Sequence, residues 1–427
     1  MTAERILRAA PLMLLAEQAA FALTGLATQL LLARAVTPAT FGAYSVASTF
    51  FLIAAIAHQT CVIEPMLVFS AGRLRDALPR YHRLLLGRWS IRFSLGLVAA
   101  GLAPAAFALA RGAAPVAAAL LAFALAAPPI LYLWLLRRIA FALGRPGLSL
   151  AATLIHAAAT LGLLGAARAL GGLGPAAAIL GPALAAVAAS AFLARRLSWP
   201  PGSATPPADL RARHLAYGRW ALGAEAVNWA LTNGPLLVPP LWLGLAAAAQ
   251  LRMLALVFMP LSQASAVASL LLLRRFARTG GGDAMTTITA LLGFAGGGAA
   301  YTLATVAAWT KAEPHLLGPD YRIEPLLLAI AGCGATCLVA AQAFIVNLRA
   351  RERTGAVLAA SLVALATLAA LLPAALPHGV AGVLTAQAAA WGAALLAAGL
   401  LATLPAVSAR ARHFPGETGT TEPEAAP

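Results

Sequence analysis

The chain has 427 residues, of which 61% are hydrophobic and 10% charged. Soluble domains carry roughly 25% charged residues, so too little polar surface remains to wet a globule of this length, and a soluble enzyme is excluded. The net charge of +16 comes from 30 Lys+Arg against 14 Asp+Glu. The arginines sit between apolar runs, which fits anionic headgroups and membrane orientation, not nucleic acid.

A helix crosses the hydrocarbon with about 20 apolar residues. Runs of that length occupy 11–33, 41–69, 91–110, 115–136, 148–168 and 174–194, then 218–240, 243–272, 286–309, 325–347, 355–373 and 380–405. Glu17 and Gln18 interrupt the first run, which is also longer than the apolar part of a signal peptide, so it reads as an uncleaved span. The pattern predicts an all-α polytopic membrane protein of about 12 transmembrane helices in two six-helix bundles, 1–197 and 217–409. Between them, 198–216 contains Ser198-Trp199-Pro200-Pro201-Gly202-Ser203 and Pro206-Pro207, a linker composition. The last residues, 410–427, are rich in Gly, Thr, Glu and Pro and are predicted to be a disordered tail.

The cationic residues test the count. Of the 30, 24 fall in alternate segments between runs, 5 in the opposite set (Arg34, Arg111, Arg168, Lys311 and Arg322), and Arg252 inside a run. The positive-inside rule then places the arginine-rich segments and both termini in the cytoplasm, as expected of a multi-pass protein of the bacterial inner membrane. The second half echoes the first at a displacement of 208 residues: Ala16-Glu17 falls on Ala224-Glu225, and Ala22-Leu23-Thr24 on Ala230-Leu231-Thr232. Halves of six spans each run in the same direction. That implies a pseudo-two-fold axis along the membrane normal, with a substrate site where the halves meet.

Ionisable groups within spans cost a few kcal/mol on insertion scales, so they face a cavity or a partner. Four qualify: Glu17, Glu64, Glu225 and Arg252. At about 1.5 Å per residue, Glu17 and Glu225 lie roughly 10 Å from the arginine-rich side, and Arg252 roughly 13 Å from the other. Glu225, Asn228 and Thr232 share one helical face, as do Thr153, His156 and Thr160; Glu17 and Thr24 form a shorter equivalent. One reading is a polar central cavity. In it Arg252 pairs with an anionic substrate, Glu17 or Glu225 binds a coupling proton or Na+, and Asn228, Thr232, Thr24 and His156 line the walls. The other is that these groups pair between helices and only pack. Glu64 precedes Pro65 near the arginine-rich end and reads as a headgroup-facing residue.

Enzymatic constellations are missing from the sequence. It has no phosphate-binding Gly-rich loop with Lys-Ser/Thr, no His-Glu-x-x-His and no Gly-x-Ser-x-Gly. Cys333 and Cys337 share a helix face, yet no His or further Cys completes a metal set. The expectation is a transporter without catalytic residues, metal or cofactor.

Residues 31–45 read Leu31-Leu32-Ala33-Arg34-Ala35-Val36-Thr37-Pro38-Ala39-Thr40-Phe41-Gly42-Ala43-Tyr44-Ser45. A span ending in an apolar-Ala-Arg run, a short Pro-containing turn and Phe-Gly before an aromatic resembles the start of the polysaccharide flippases. That family moves O-antigen, exopolysaccharide and teichoic-acid units, and shares a superfamily with the multidrug MATE exporters. The second half is similar at Tyr217-Gly218 and Leu243-Gly244, but Ala249-Gln250-Leu251 stands where the family has Gly-x-Tyr. The resemblance implies a V-shaped, MATE-like pair of bundles. It implies alternating access that carries a lipid-linked oligosaccharide, on an isoprenoid pyrophosphate, from the cytoplasmic to the periplasmic leaflet for lipopolysaccharide or exopolysaccharide assembly. The implied partners are that substrate, membrane lipids, and the polysaccharide polymerase and glycosyltransferases of the same pathway. Three alternatives stay open. One is a major-facilitator transporter, since Gly72-Arg73-Leu74-Arg75-Asp76 resembles its Gly-x-Leu-x-Asp loop. Another is a MATE-like drug exporter, with a more acidic cavity. The third is a membrane polymerase, ligase or scaffold in polysaccharide assembly.

Overall fold

The computed structural model describes residues 3–71, 77–197, 209–278 and 284–404. Within them the chain is helical and, among the described residues, contains no strand. The first half runs α1 (Ala3–Ala33), α2 (Pro38–Ser70), α3 (Leu78–Ala110), α4 (Ala114–Ala142), α5 (Pro146–Ala169) and α6 (Pro175–Arg196). The second half runs α7 (Leu210–Leu237), the one-turn α8 (Pro240–Leu243), α9 (Leu245–Val257), α10 (Met259–Arg278), α11 (Ala284–Leu316), α12 (Pro325–Ala350), α13 (Thr354–Ala375) and α14 (Gly379–Thr403). Proline stands in the first turn of α2, α4, α5, α6, α8 and α12, where its missing N–H costs nothing.

Among the described residues each of the twelve apolar runs is mainly helical, with breaks at Val238–Pro239, Gly244 and Phe258. By length and hydropathy alone, however, nine stretches among the described residues can cross a membrane, or ten when α9 and α10, bent by 43°, are taken together. Two features separate that figure from twelve. Thr354–Thr403 is one 50-residue stretch by this measure, although a short turn at Leu376–His378 and a left-handed Gly379 divide it. α7 is a 28-residue helix, but Arg219, Glu225, Asn228 and Asn233 lower its hydropathy. The chain is a polytopic membrane protein. α7 begins inside the expected linker, so 210–216 are helical; the rest of that linker, the tail and the loop signature at 72–76 lie outside the described residues.

The internal echo is a structural repeat. The starts of α1 to α6 and of α7, α9, α11, α12, α13 and α14 differ by 204 to 211 residues in all six pairs. Arg145 donates to the Arg196 carbonyl, and Arg353, 208 positions on, donates to the Leu404 carbonyl; each bond spans 51 residues. The left-handed turn after α4 uses Gly144 (φ 71°), and its counterpart after α12 forces Glu352 into the same region (φ 57°).

Two seams join the halves. At the arginine-poor end, α2 meets α9 backbone to backbone: a Cβ on Gly42 would stand 1.8 Å from the Leu245 carbonyl oxygen. Glycine is required there because nothing larger lets the helices approach so closely. Beside it, Tyr321 lies edge-on to Phe41, with ring centres 6.3 Å apart. A Cβ on Gly318 would come 3.2 Å from the Ala33 carbonyl oxygen. The Tyr321 segment is held by Trp309 Nε1–H donating to the Ile323 carbonyl (3.1 Å) and by the Ile323 amide donating to Glu313 Oε1 (2.7 Å). Burial, and then the Asp320 carboxylate, push the Tyr321 phenol above its usual range.

The second seam lies at the arginine-rich end, along α2 and α7. A Cβ on Gly218 would touch Cys61 Sγ at 3.0 Å. His214 of α7 is buried among first-half residues: Tyr81 Oη is 2.8 Å from Nε2, and Nδ1 is 3.3 Å from the Cys61 carbonyl oxygen. The Trp89 ring stands edge-on to it at 4.6 Å. α2 makes a π-turn at Gln59–Ile63, alongside this contact. On the opposite edge α1 packs mainly on α5 and α10 mainly on α12, and among the described residues α1 and α10 pack little against each other. Gln18, Ala19 and Leu23 of α1 are exposed there. The halves are therefore closed at the arginine-poor end, and α1 and α10 are the weakly packed edge between them.

Candidate functional site

Buried polar side chains are concentrated in the first half. Thr24, Thr28 and Gln29 of α1, Ser45, Ser48 and Thr49 of α2, and Ser149, Thr153, His156 and Thr160 of α5 are all buried. Several of their hydroxyls donate back to a carbonyl one turn earlier, as Thr24 does to Ala20 (2.7 Å) and Thr153 to Ser149 (3.0 Å). This lets a helix carry polar groups without leaving them unpaired.

These helices enclose a cavity of about 230 Å³ bordered by Thr24, Gln29, Tyr44, Trp134, His156 and Thr160, and by Arg252 from the other half. Arg252 stands on α9 just inside the arginine-poor seal. Its Nε donates to Gln29 Oε1 at 2.7 Å, and Tyr44 is near enough to interact electrostatically. Among the described residues no carboxylate lies within ion-pair distance of it. A half-buried guanidinium with one neutral partner keeps donors available for an anion, and bidentate pairing with phosphate oxygens is its strongest option.

The cavity is unevenly satisfied. His156 Nε2 is 3.2 Å from the Pro182 carbonyl oxygen; a carbonyl only accepts, so Nε2 carries the proton and Nδ1 of the neutral ring is an acceptor. Among the described residues that Nδ1, Trp134 Nε1 and Thr160 Oγ1 have no hydrogen-bond partner, and they are packed in the wall without opening onto the cavity. Each such orphan costs roughly 1–3 kcal/mol relative to a paired group.

The residues singled out by sequence pattern thus separate into four places. Arg252, Thr24 and His156 come together at this cavity, together with Thr160 of the same α5 face. Glu17 is one and a half to two turns away, ion-paired to Arg137 of α4: Arg137 Nε donates to Glu17 Oε1 at 2.8 Å and Nη2 donates to the same oxygen. Both side chains are sealed from solvent, and the guanidinium lies 5.0 Å over the Phe21 ring. Arg137 belongs inside the bundle, not in the loop set where its neighbour Arg138 and the end of the apolar run place it. Glu225 is partly exposed on α7, close enough to Glu64 for the two carboxylates to repel, while Gln59 hydrogen-bonds Glu64. Asn228 is exposed. Thr232 donates to the Asn228 carbonyl (2.8 Å) and borders a separate cavity of about 190 Å³ inside the second half, with Gln387 and Trp391.

Sequence reasoning missed Gln29, Tyr44 and Trp134 at the cavity and Tyr81 and His214 at the inner seam. Aromatic residues in apolar runs carry the same signal as core. His214 lies in a stretch read as linker. Gln29 is a lone amide in an apolar run, and the 208-residue displacement sets Arg252 on Tyr44, so the repeat does not point to it.

No protein-family profile matches the chain, and no curated protein sequence matches it. Solved structures do match in shape. A multidrug resistance MATE family transporter of the MOP superfamily, in an inward-facing conformation, aligns with a TM-score of 0.66 at 13% identity, covering 90% of this chain and 93% of that one. The lipid II flippase MurJ in an inward closed conformation aligns at 0.65 and 13% identity, over 91% and 87% of the two chains. VcmN, a MATE transporter of Vibrio cholerae, aligns at 0.62 and 16% identity, over 94% and 96%. What the chain shares with these transporters is the fold: an all-α polytopic membrane protein of MATE-like architecture.

Proposed function

We propose that the chain is a transporter, not an enzyme, and that it moves an oligosaccharide carried on an isoprenoid pyrophosphate from the cytoplasmic to the periplasmic leaflet of a bacterial inner membrane. The arginine-rich end, with both termini, faces the cytoplasm. The observation that carries this reading is Arg252: a guanidinium from one half, presented at the polar cavity of the other half, with no carboxylate beside it. Such a group selects an anionic headgroup. The weakly packed α1/α10 edge is where a headgroup would enter from the side while its lipid tail stays in the hydrocarbon. The closed seal at Gly42 and Leu245 fits one of the two states that alternating access requires. The fold shared with MATE exporters and with a lipid II flippase supports transport of this kind, and the short outer segments leave little room for a polymerase or ligase site.

A second reading is favoured by one observation. Glu64 and Glu225 are near enough across the inner seam to interact electrostatically, and two neighbouring carboxylates suit a cationic substrate or coupling ion. On that reading the chain is a MATE-like cation exporter.

The test is translocation in proteoliposomes loaded with a fluorescent isoprenoid pyrophosphate oligosaccharide, scored by accessibility to an external quencher. Arg252→Ala is expected to lower the initial rate at least tenfold, the loss of a charge-assisted contact of about 1.5–3 kcal/mol. Transport of that lipid unchanged by Arg252→Ala would remove Arg252 from the site, and transport only of organic cations, lost on Glu225→Gln, would replace this reading with the second.

A further inference from the structure

A second guanidinium stands without an acid, toward the arginine-rich end of the same wall. There Gln18 and Phe21 of α1, Gln59 of α2, and Trp134, Arg137 and Arg138 of α4 border a cavity of about 180 Å³. Phe21 and Trp134, edge-on with ring centres 5.6 Å apart, border the Arg252 cavity as well. One face of α1, carrying Gln18, Phe21, Gly25 and Gln29 at spacings of three and four, runs from one cavity to the other. Gln29, which accepts from Arg252, is about 16 Å along that face from Gln18.

The two arginines of the smaller cavity differ. Arg137 is buried and paired with Glu17. Arg138 is partly exposed and near enough to Arg137 for their charges to repel. Among the described residues it has no hydrogen bond or ion pair. No carboxylate borders the cavity, so once Glu17 cancels Arg137, one uncompensated positive charge remains. An arginine at the end of a span ordinarily reaches for lipid headgroups. Arg138 instead shares the inward face of α4: Trp134, Arg137 and Arg138 have i, i+3, i+4 spacing, and on that face Trp134 meets Phe21 and Arg137 reaches Glu17. Nor does the fold require charge at this place, since 208 residues on the two arginines fall on Ile345 and Val346.

We propose that Arg138, with the side-chain amides of Gln18 and Gln59, is a loading site for a diphosphate headgroup, from which the headgroup passes along α1 to Arg252. This rests on the reading of Arg252 as the anion receptor and adds a separate, earlier station. The guanidinium and the two amides offer N–H donors and a diphosphate offers acceptors. One diphosphate does not bridge about 16 Å, so the two stations are occupied in turn. Arg138 is partly open to water and holds its anion less tightly than a buried guanidinium does, which is what a station that must pass its ligand on requires. Its contribution lies in capture, and capture governs the substrate concentration needed more than the maximal rate.

Binding of geranyl pyrophosphate to the full chain in nanodiscs of neutral lipid is measured by calorimetry, and a thermal melt verifies that each variant is folded. Arg252→Ala is expected to keep a weak residual binding, which Arg138→Gln added to it removes. In the proteoliposome assay, Arg138→Gln alone should raise the half-saturating substrate concentration about five- to tenfold, between the values of an exposed ion pair and of a charge-assisted hydrogen bond. The maximal rate should fall far less, and Arg138→Lys should recover most of the loss. If Arg252→Ala by itself abolishes binding that the wild type shows, the loading site is overturned and the reading of Arg252 stands. Residual binding that survives Arg138→Gln overturns the loading site too, as does a lower maximal rate at unchanged half-saturation. Residual binding that disappears once the nanodisc contains phosphatidylglycerol also overturns it, because the cavity would then take any anionic lipid headgroup. Binding unchanged by Arg252→Ala, or no binding by the wild type, overturns the reading of Arg252 and the two-station scheme together.

Discussion

Replacing Gly42 by alanine should open the seal at the arginine-poor end. The added Cβ would stand 1.8 Å from the Leu245 carbonyl oxygen, where contacts under 3.0 Å do not occur. The obstacle is backbone and cannot rotate away, so α2 and α9 must part by at least the difference of those two distances, 1.2 Å. Overpacking of this kind costs about 1–3 kcal/mol, and here the cost falls only on the state in which the seal is closed. Converted to populations, that is a shift of roughly 5- to 150-fold toward the state with the outer end open. Arg34 and Arg322 are exposed beside the seal. Spin labels at Arg34→Cys and Arg322→Cys, in a chain whose three native cysteines are replaced, read its width. The wild type should give one short distance, Gly42→Ala a second, longer population, and Gly42→Leu mostly the longer one. Identical distance distributions in all three, with each variant folded, would refute the claim that this glycine contact holds the outer end shut.

Two other substitutions probe the frame around the cavity. Glu17→Gln strands a buried guanidinium and should destabilise the chain by about 3–5 kcal/mol, whereas the double change Glu17→Leu with Arg137→Met should recover much of the loss; thermal unfolding in detergent measures both, and a harmless single change would mean the pair is not isolated from water. Gly218→Cys places a thiol against native Cys61, whose Sγ is 3.0 Å from the position of the new Cβ. Oxidation should join the halves at the inner seam, and transport is expected to persist, as a hinge at this edge requires. Transport abolished by the oxidant and restored by reductant would show that this edge has to separate.

Much of the fold was legible because the bilayer leaves few options. Unpaired backbone in hydrocarbon is so costly that each apolar run of span length becomes a helix, and all twelve are mainly helical. The repeat was visible in Glu17/Glu225 and Thr24/Thr232, yet the environments of those residues diverge. Glu17 finds Arg137, whereas the position 208 residues beyond Arg137 is Ile345, and Glu225 instead faces Glu64. A pairing between distant helices leaves no trace in either local pattern. Arg252 and the Thr153-His156-Thr160 stripe could be read because a polar residue inside an apolar run stands out. Tyr44, Trp134 and Phe51 could not, since a cavity wall and a packed core draw on the same side chains. The seal at Gly42 was half-legible: Phe41-Gly42 was part of the motif, but nothing local shows that the partner is the backbone at Leu245.

The bend at Phe258, where α9 gives way to α10, sets how far the chain has to move. The segment from Met259 to Leu273, inclined at 43° to α9, is a lever about 22 Å long. Bringing it into line with α9 would carry its tip through roughly 16 Å, close to the span of two packed helices. A joint of a few residues can therefore reposition the far end of α10 beside the weakly packed α1 edge.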